Sequence, residues 1–326
     1  MGQTVLDVSG VTKTYGGFTA VDDVSFTVDA GSVFGFLGPN GAGKTTTLRM
    51  ILDIIQPTRG EIRILGSDSA MSVRDQIGYL PEERGLYKKM TARQTIAYFG
   101  QLKGLSGRAA RQRAMELLER FGLKDFAKAK IESLSKGMAQ KVQVLSAIVH
   151  DPRLVILDEP FSGLDPVNQQ VLEELIQDLA DRDRTIIFST HVMQHAERLC
   201  DRLLLVAEGQ RRFFGTLSEA RAALPRRVRI ETPDPVGPLE ALEFVESVTL
   251  SDAADRESGA TGTVNGHHGH APRYEVTLRQ GTDPQWVLKA CFDRGITLRQ
   301  FDQSDPSLHE IFVALVGPKA REAAYR

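Results

Sequence analysis

Cysteine is nearly missing from this chain: of 326 residues only Cys200 and Cys291 are thiols, far apart in sequence and at no metal-ligand spacing. That excludes a disulfide scaffold and a cysteine-built zinc site, and both read as buried thiols in a reducing compartment. Long apolar runs are missing too. Stretches such as Leu154 to Leu157, Leu203 to Val206 and Ile311 to Val316 fall far short of the roughly 20 residues that cross a bilayer. Met1 to Asp7 lacks a basic segment followed by an apolar one, so no signal peptide is expected. Nor is one sign of charge in excess. Forty basic against 42 acidic side chains leave a net charge of −2, which gives no bulk attraction to nucleic acid. With 41% hydrophobic and 25% charged residues, the composition is that of an ordinary globular protein. The length suits one large domain with a small one, or two medium ones.

What is present begins with Gly38-Pro39-Asn40-Gly41-Ala42-Gly43-Lys44-Thr45-Thr46. Gly38, Gly43, Lys44 and Thr45 occupy the fixed positions of G-x-x-x-x-G-K-[ST], a phosphate-binding loop. Val33 to Leu37 before it reads as a buried strand, and Thr45 to Ile55 after it as an amphipathic helix. In that setting successive backbone N–H groups curl around phosphates at the positive end of the helix dipole. Lys44 is placed to reach the β- and γ-phosphates of a nucleotide, and the Thr45 hydroxyl to hold Mg²⁺.

Along the chain, Val5 to Ser9 and Val24 to Val28 alternate as strands around a Tyr15-Gly16-Gly17 turn, and Glu61 to Leu65 and Ile77 to Leu80 are further strands. Thr91 to Lys103 and Arg108 to Phe121 carry apolar residues at helical spacing. Helix Met138 to His150, strand Leu154 to Leu157, helix Pro166 to Leu179 and strand Thr185 to Ser189 follow. Such alternation predicts a mainly parallel sheet covered on both faces, with the helical block as an inserted lobe. The character changes near Leu224-Pro225. Arg227 to Glu231, Phe244 to Leu250, Tyr274 to Leu278 and Thr297 to Phe301 read as strands, Pro284 to Asp293 and Leu308 to Val316 as helices. That predicts a small α+β domain over 225–326, with a flexible insert at about 251–272 rich in Ser, Gly, Ala and Thr. His267, His268 and His270 could share a zinc ion, but their segment offers no cysteine and reads as a solvated loop. Arg226 to Arg229 reads as an alternating strand with an exposed basic face.

Leu154 to Leu157 ends in Asp158-Glu159. A buried parallel strand delivers its last residues to the sheet edge where the phosphate loop also lies. Asp158 is placed to bind Mg²⁺ and Glu159 to orient and deprotonate an attacking water.

In these motifs the chain, over residues 1 to about 220, resembles the ATP-binding subunit of an ABC transporter, in particular the sodium-export and antibiotic-export subgroup. The resemblance implies a P-loop NTPase cassette over 1–224: a mainly parallel core, antiparallel N-terminal strands and a helical lobe at about 88–136. It places Tyr15 as the ring stacked on adenine and His191 as the sensor of the γ-phosphate. Ser162-Gly163-Leu164-Asp165 becomes the loop that contacts the opposite subunit. Leu134-Ser135-Lys136-Gly137-Met138 stands where the family has Leu-Ser-Gly-Gly-Gln; Ser135 and Gly137 retain a hydroxyl and a helix tip able to bind phosphate. Glu82 stands where the family has a glutamine. It can still coordinate a hard cation, but it cannot donate an amide hydrogen bond.

The family implies two ATP molecules held between the phosphate loop of one copy and the signature of the other. This chain has one of each, so a homodimer is expected. A separate polytopic membrane permease is expected as partner, with export as direction, attachment at the cytoplasmic face of the membrane, and Mg²⁺ and ATP as cofactors. The C-terminal domain resembles the extension of antibiotic-export subunits, with regulation or dimer support as its expected role. The rivals are a soluble ATPase of the same type acting on ribosomes or DNA, and a nucleotide-binding scaffold with weak hydrolysis. The first generally carries two cassettes, a coiled coil or a charged linker, and none appears here. The second is motivated by Glu82, Lys136 and Met138.

Overall fold

The computed structural model describes residues 3–83, 85–251, 271–279, 281–303 and 305–316. Its contacts divide the chain into two compact units, one of residues 3–217 with 312–316, the other Ser218–Ile311.

In the first unit, strands β1 (Thr4–Tyr15) and β2 (Phe18–Asp29) form a long hairpin. Strand β3 (Val33–Leu37) leads into helix α1 (Lys44–Ile51), followed by β4 (Arg59–Ile64) and β5 (Ile77–Leu80). Helices α2 (Ala92–Leu102), α3 (Gly107–Arg120) and α4 (Lys136–Ile148) come next. Then β6 (Leu154–Asp158), α5 (Pro166–Ala180), β7 (Thr185–Thr190) and α6 (Met193–Leu199) alternate. A closing hairpin joins β8 (Arg202–Ala207) to β9 (Gln210–Gly215).

The central sheet has the order β5-β6-β7-β3-β8-β9, parallel except for β9. Every residue of β3, β6 and β7 is buried, as expected of strands covered on both faces. Because β3, β5, β6 and β7 run the same way, the loops after Leu37, Leu80, Asp158 and Thr190 all leave from one edge. A separate antiparallel sheet, order β2-β1-β4, closes over Leu48, Met50 and Ile51 of α1. Phe26 of β2 stacks on Phe34 of β3 at 5.5 Å between ring centres, joining the two sheets.

Three local devices set helix starts. Thr91 and Gln94 form a reciprocal capping box on α2, Ser106 caps α3 and Ser135 caps α4. The phosphate-loop helix is shorter than the expected Thr45 to Ile55. Leu52 leaves helical geometry, and Asp53, at φ 56°, turns the chain away. The β8–β9 hairpin is an addition to the expected elements; its turn puts Glu208 and Gly209 at φ 53° and 75°, the primed-turn geometry of two-residue hairpins. Cys200 is half-buried as a residue, but its thiol is buried and that burial pushes its pKa well up; Cys291 is buried.

In the second unit, α7 (Leu217–Ala222) precedes β10 (Arg227–Glu231), α8 (Gly237–Glu240), β11 (Val245–Leu250), β12 (Arg273–Leu278), α9 (Gln285–Asp293) and β13 (Gln300–Asp302). Helix α10 (Leu308–Val316) ends the described chain. The sheet, order β11-β12-β10-β13, is antiparallel and packs Val228, Ile230 and Val276 against Val287 and Cys291 of α9. β10 alternates as expected, and its outward arginines are paired: Arg227 with Glu275 at 3.1 Å, and Arg229 with Glu310 at 2.8 Å. The last strand is Gln300–Asp302, not Thr297 to Phe301, since the Thr297 N–H donates to the Asp234 carboxylate. His267, His268 and His270, with almost all of the expected insert, lie outside the described residues.

Candidate active site

The glycine loop works by exclusion of side chains. Gly43, the residue before α1, sits at φ 95°, and a Cβ there would lie 2.6 Å from the Ala20 carbonyl oxygen. A Cβ on Gly38 would collide with the Val206 carbonyl. The backbone of Pro39, Asn40, Gly41 and Ala42 is thereby held in a tight bend, closed by the Ala42 N–H donating to the Pro39 carbonyl at 3.2 Å. Lys44 opens α1 with Thr45 and Thr46 behind it.

Lys44 is 5% exposed, and its ammonium donates to the carbonyls of Gly38 (2.7 Å) and Pro39 (3.1 Å). Glu159 Oε1 stands 3.3 Å from the same nitrogen. The other Glu159 oxygen, Oε2, lies 3.0 Å from His191 Nδ1. Glu159 is itself 7% exposed and adopts φ 47°, a left-handed conformation uncommon outside glycine. Its N–H is held by the Ser189 hydroxyl at 2.9 Å, which secures the bend.

Ser189 also donates to Asp158 Oδ1 at 2.5 Å, and Thr45 donates to the same oxygen at 3.3 Å. Burial pushes the Asp158 carboxyl above its ordinary range, the Ser189 and Thr45 hydroxyls oppose that rise, and the Glu159 charge adds to it. Burial, together with the Asp158 charge, moves the Tyr79 hydroxyl up to about 12. The second Asp158 oxygen, Oδ2, is buried with no hydrogen-bond partner among the described residues. A buried, partnerless carboxylate oxygen beside a threonine hydroxyl is a fitting donor set for a hard divalent cation.

Lys44, Thr45, Asp158, Glu159 and His191 thus form one linked cluster. Glu82 is exposed and shares a cleft with Glu83, Lys136, Gln140, Glu159 and Ser162. Ser135, Gly137 and Asp165 form another group. Ser135 caps α4, Asp165 caps α5 through the Asn168 N–H at 2.9 Å, and the Asn168 side chain lies against Gly137. Tyr15 stands apart at the end of β1, half-exposed, with Lys13 Nζ 5.2 Å from its ring centre.

Sequence reading misses Ser189, although it joins both carboxylates. Its signal is register: β6 and β7 are parallel and Asp158 pairs with Ser189, so their side chains share a face. Two buried glutamines of α4 are missed as well. Gln140 donates to the Pro160 carbonyl at 3.2 Å, and Gln143 to the carbonyls of Pro81 (3.4 Å) and Glu83 (3.3 Å).

Sheet order, glycine loop and the strand-end carboxylates define the class of phosphate-loop NTPases. Comparison with known proteins narrows it. A family model described as ABC transporter matches residues 21–162. A second, described as the C-terminal domain of DrrA1-3-like ATP-binding proteins, matches residues 215–316. YhaQ of Bacillus subtilis, an uncharacterized ABC transporter ATP-binding protein, is 37% identical over 314 residues, which is 96% of this chain and 99% of YhaQ. The ABC transporter ATP-binding protein NatA of the same organism is 41% identical over 61% of this chain and 82% of its own.

Among solved structures, the ATP-binding subunit of an ABC transporter has a TM-score of 0.62 at 34% identity, covering 68% of this chain and 93% of that one. A dimeric ATP-binding cassette in a post-hydrolysis state with ADP and Pi has a TM-score of 0.61 at 27% identity, covering 65% and 98%. The chain belongs to the family of ABC transporter ATP-binding proteins.

Proposed function

We propose that this protein is the ATP-hydrolysing, energy-coupling subunit of an ABC exporter, driving a separate membrane-spanning permease from the cytoplasmic face of the membrane. One observation carries the reading. Glu159 is buried at the end of β6 with one carboxylate oxygen toward Lys44 and the other toward His191. That is where a phosphate group in the glycine loop and a water in line with it would meet.

In this reading backbone N–H groups within residues 40–46 bind the phosphates, and Lys44 exchanges its carbonyl and Glu159 partners for phosphate oxygens. Freed from Lys44, Glu159 accepts the proton of the attacking water while His191 holds its other oxygen. Mg²⁺, when bound, would be held by Thr45 and Asp158, with Glu82 reaching it from the loop after β5, and would neutralise phosphate charge. Tyr15 offers its exposed ring to the adenine. Ser135, Gly137 and Asp165 would face the nucleotide of a second copy, so that two ATP molecules lie within a homodimer. The dimeric relative with ADP and Pi supports that arrangement. Among the described residues no helix is long and apolar enough to cross a membrane, in keeping with a separate spanning partner. Export is favoured by relatives named for Nod factor export and as a probable multidrug transporter protein.

Glu159→Gln is expected to lower Mg²⁺-dependent ATP turnover by roughly 10²–10⁴-fold with nucleotide binding retained. Lys44→Ala is expected to lose both. Steady-state ATPase rates with nucleotide binding by fluorescence check this, and equal rates for the three proteins would remove the assignment.

A further inference from the structure

Helix α4 touches both loops that carry the reactive carboxylates, and it does so through two buried side chains. Gln140 and Gln143 are 7% and 6% exposed and lie three residues apart, hence on one helical face. Gln140 donates to the carbonyl of Pro160, the residue after Glu159. Gln143 donates both amide hydrogens, to the carbonyls of Pro81 and Glu83, the residues on either side of Glu82. None of the three bonds touches a carboxylate. All fix the backbone from which a carboxylate projects. For Glu82 this matters most, because its side chain is exposed and only the position of its backbone can restrict where it points.

We propose that Gln143 is a positioning residue for the reaction. By clamping the peptides on both sides of Glu82 it sets where that carboxylate stands relative to the cation. With Gln140 it makes α4 the common support of the Glu82 and Glu159 loops. Since the serine-capped tip of α4 belongs to the same rigid element, a shift of this helix carries both carboxylates with it. The inference rests on the reading of Glu82 as a cation ligand. Arrangements of this kind, in which a second residue orients a ligand, typically control metal affinity by about 10–100-fold.

The test uses the full chain with a non-hydrolysable ATP analogue and Mn²⁺ as probe for Mg²⁺. Wild type, Gln143→Met, Glu82→Ala and the double variant are compared by electron paramagnetic resonance for Mn²⁺ affinity. Analogue affinity and thermal melting are measured alongside. Gln143→Met is expected to weaken Mn²⁺ binding on the order of tenfold, with analogue affinity unchanged, and to have no further effect once Glu82 is alanine. Should Gln143→Met fold poorly, Gln143→Asn keeps an amide of shorter reach and should shift Mn²⁺ affinity the same way by less. If Glu82→Ala weakens Mn²⁺ binding but neither Gln143 variant does, the positioning role is wrong and the ligand reading stands. Equal losses from Gln143→Met with and without Glu82 would make Gln143 a packing residue only. If Glu82→Ala has no effect, the ligand reading falls and the inference with it.

Discussion

Asp158 shows most clearly how this site sets stability against function. Burial raises its pKa, so the folded protein holds the Asp158 proton more tightly than the unfolded chain does. The folded state therefore loses stability as pH climbs through the range where the carboxyl ionises, because a buried charge opposes folding. Asp158→Asn removes that charge while its carbonyl still accepts from Ser189 and Thr45. Its expected outcome is a higher melting temperature at pH 7 in cation-free buffer, together with loss of Mg²⁺-dependent turnover, a trade-off typical of reactive sites. Ser189→Ala should do the opposite to stability. It strips the buried Glu159 N–H and Asp158 of a shared partner, at a cost of about 1–3 kcal/mol read from chemical denaturation. Asp158 and Glu159 are legible in the sequence because an apolar strand ending in two carboxylates is a linear pattern. Ser189 is not, because it becomes a neighbour only through strand pairing 31 residues away.

At the scale of elements, helix α1 depends on the residue before it. Gly43→Ala places a Cβ 2.6 Å from the Ala20 carbonyl in a left-handed backbone, so the loop must change shape. We expect nucleotide binding, followed by fluorescence, to be lost, and stability to fall by more than about 1 kcal/mol. Just past α4, His150 contacts the Ile77 carbonyl at the start of β5 through Nε2 at 3.1 Å. Burial, then the nearby Lys103 charge, lowers its pKa to about 4 from the ordinary 6.5. As pH falls below 6.5 the unfolded chain takes the proton first. Stability is therefore full above 6.5 and declines until about 4. Denaturant midpoints across that range should fall with acid, and His150→Gln should flatten the slope. Helix and strand positions are mostly legible from periodicity. The ends of α1 and of β13 are not, since a left-handed Asp53 and an Asp234 carboxylate decide them.

For the whole molecule, the parallel order of the central sheet brings four loops to one edge, and three of them gather Lys44, Asp158, Glu159 and His191. Ser135, Gly137 and Asp165 are tied together through the caps of α4 and α5 and the Asn168 side chain; in the proposed pairing they face the nucleotide of a second copy. Glu159→Gln with saturating Mg-ATP should run as a dimer by light scattering, and as a monomer without nucleotide. An unchanged monomer, with the permease present as well, would contradict the pairing. The phosphate loop and the mainly parallel sheet around it can be read from motifs and strand–helix alternation; the strand order comes only from pairing. The supports of the Glu82 loop cannot, because Gln143 is one polar residue within a buried helix and its partners are backbone carbonyls.

The most direct measurement is a crystal structure of Glu159→Gln grown with Mg-ATP. A triphosphate wrapped by residues 38–46 is expected, with Lys44 moved from residue 159 onto phosphate oxygens. The substituted amide at position 159 and the His191 ring should then bracket a water in line with the terminal phosphorus. A terminal phosphorus lying remote from residue 159, or a loop that stays empty at millimolar nucleotide, would contradict the proposed site.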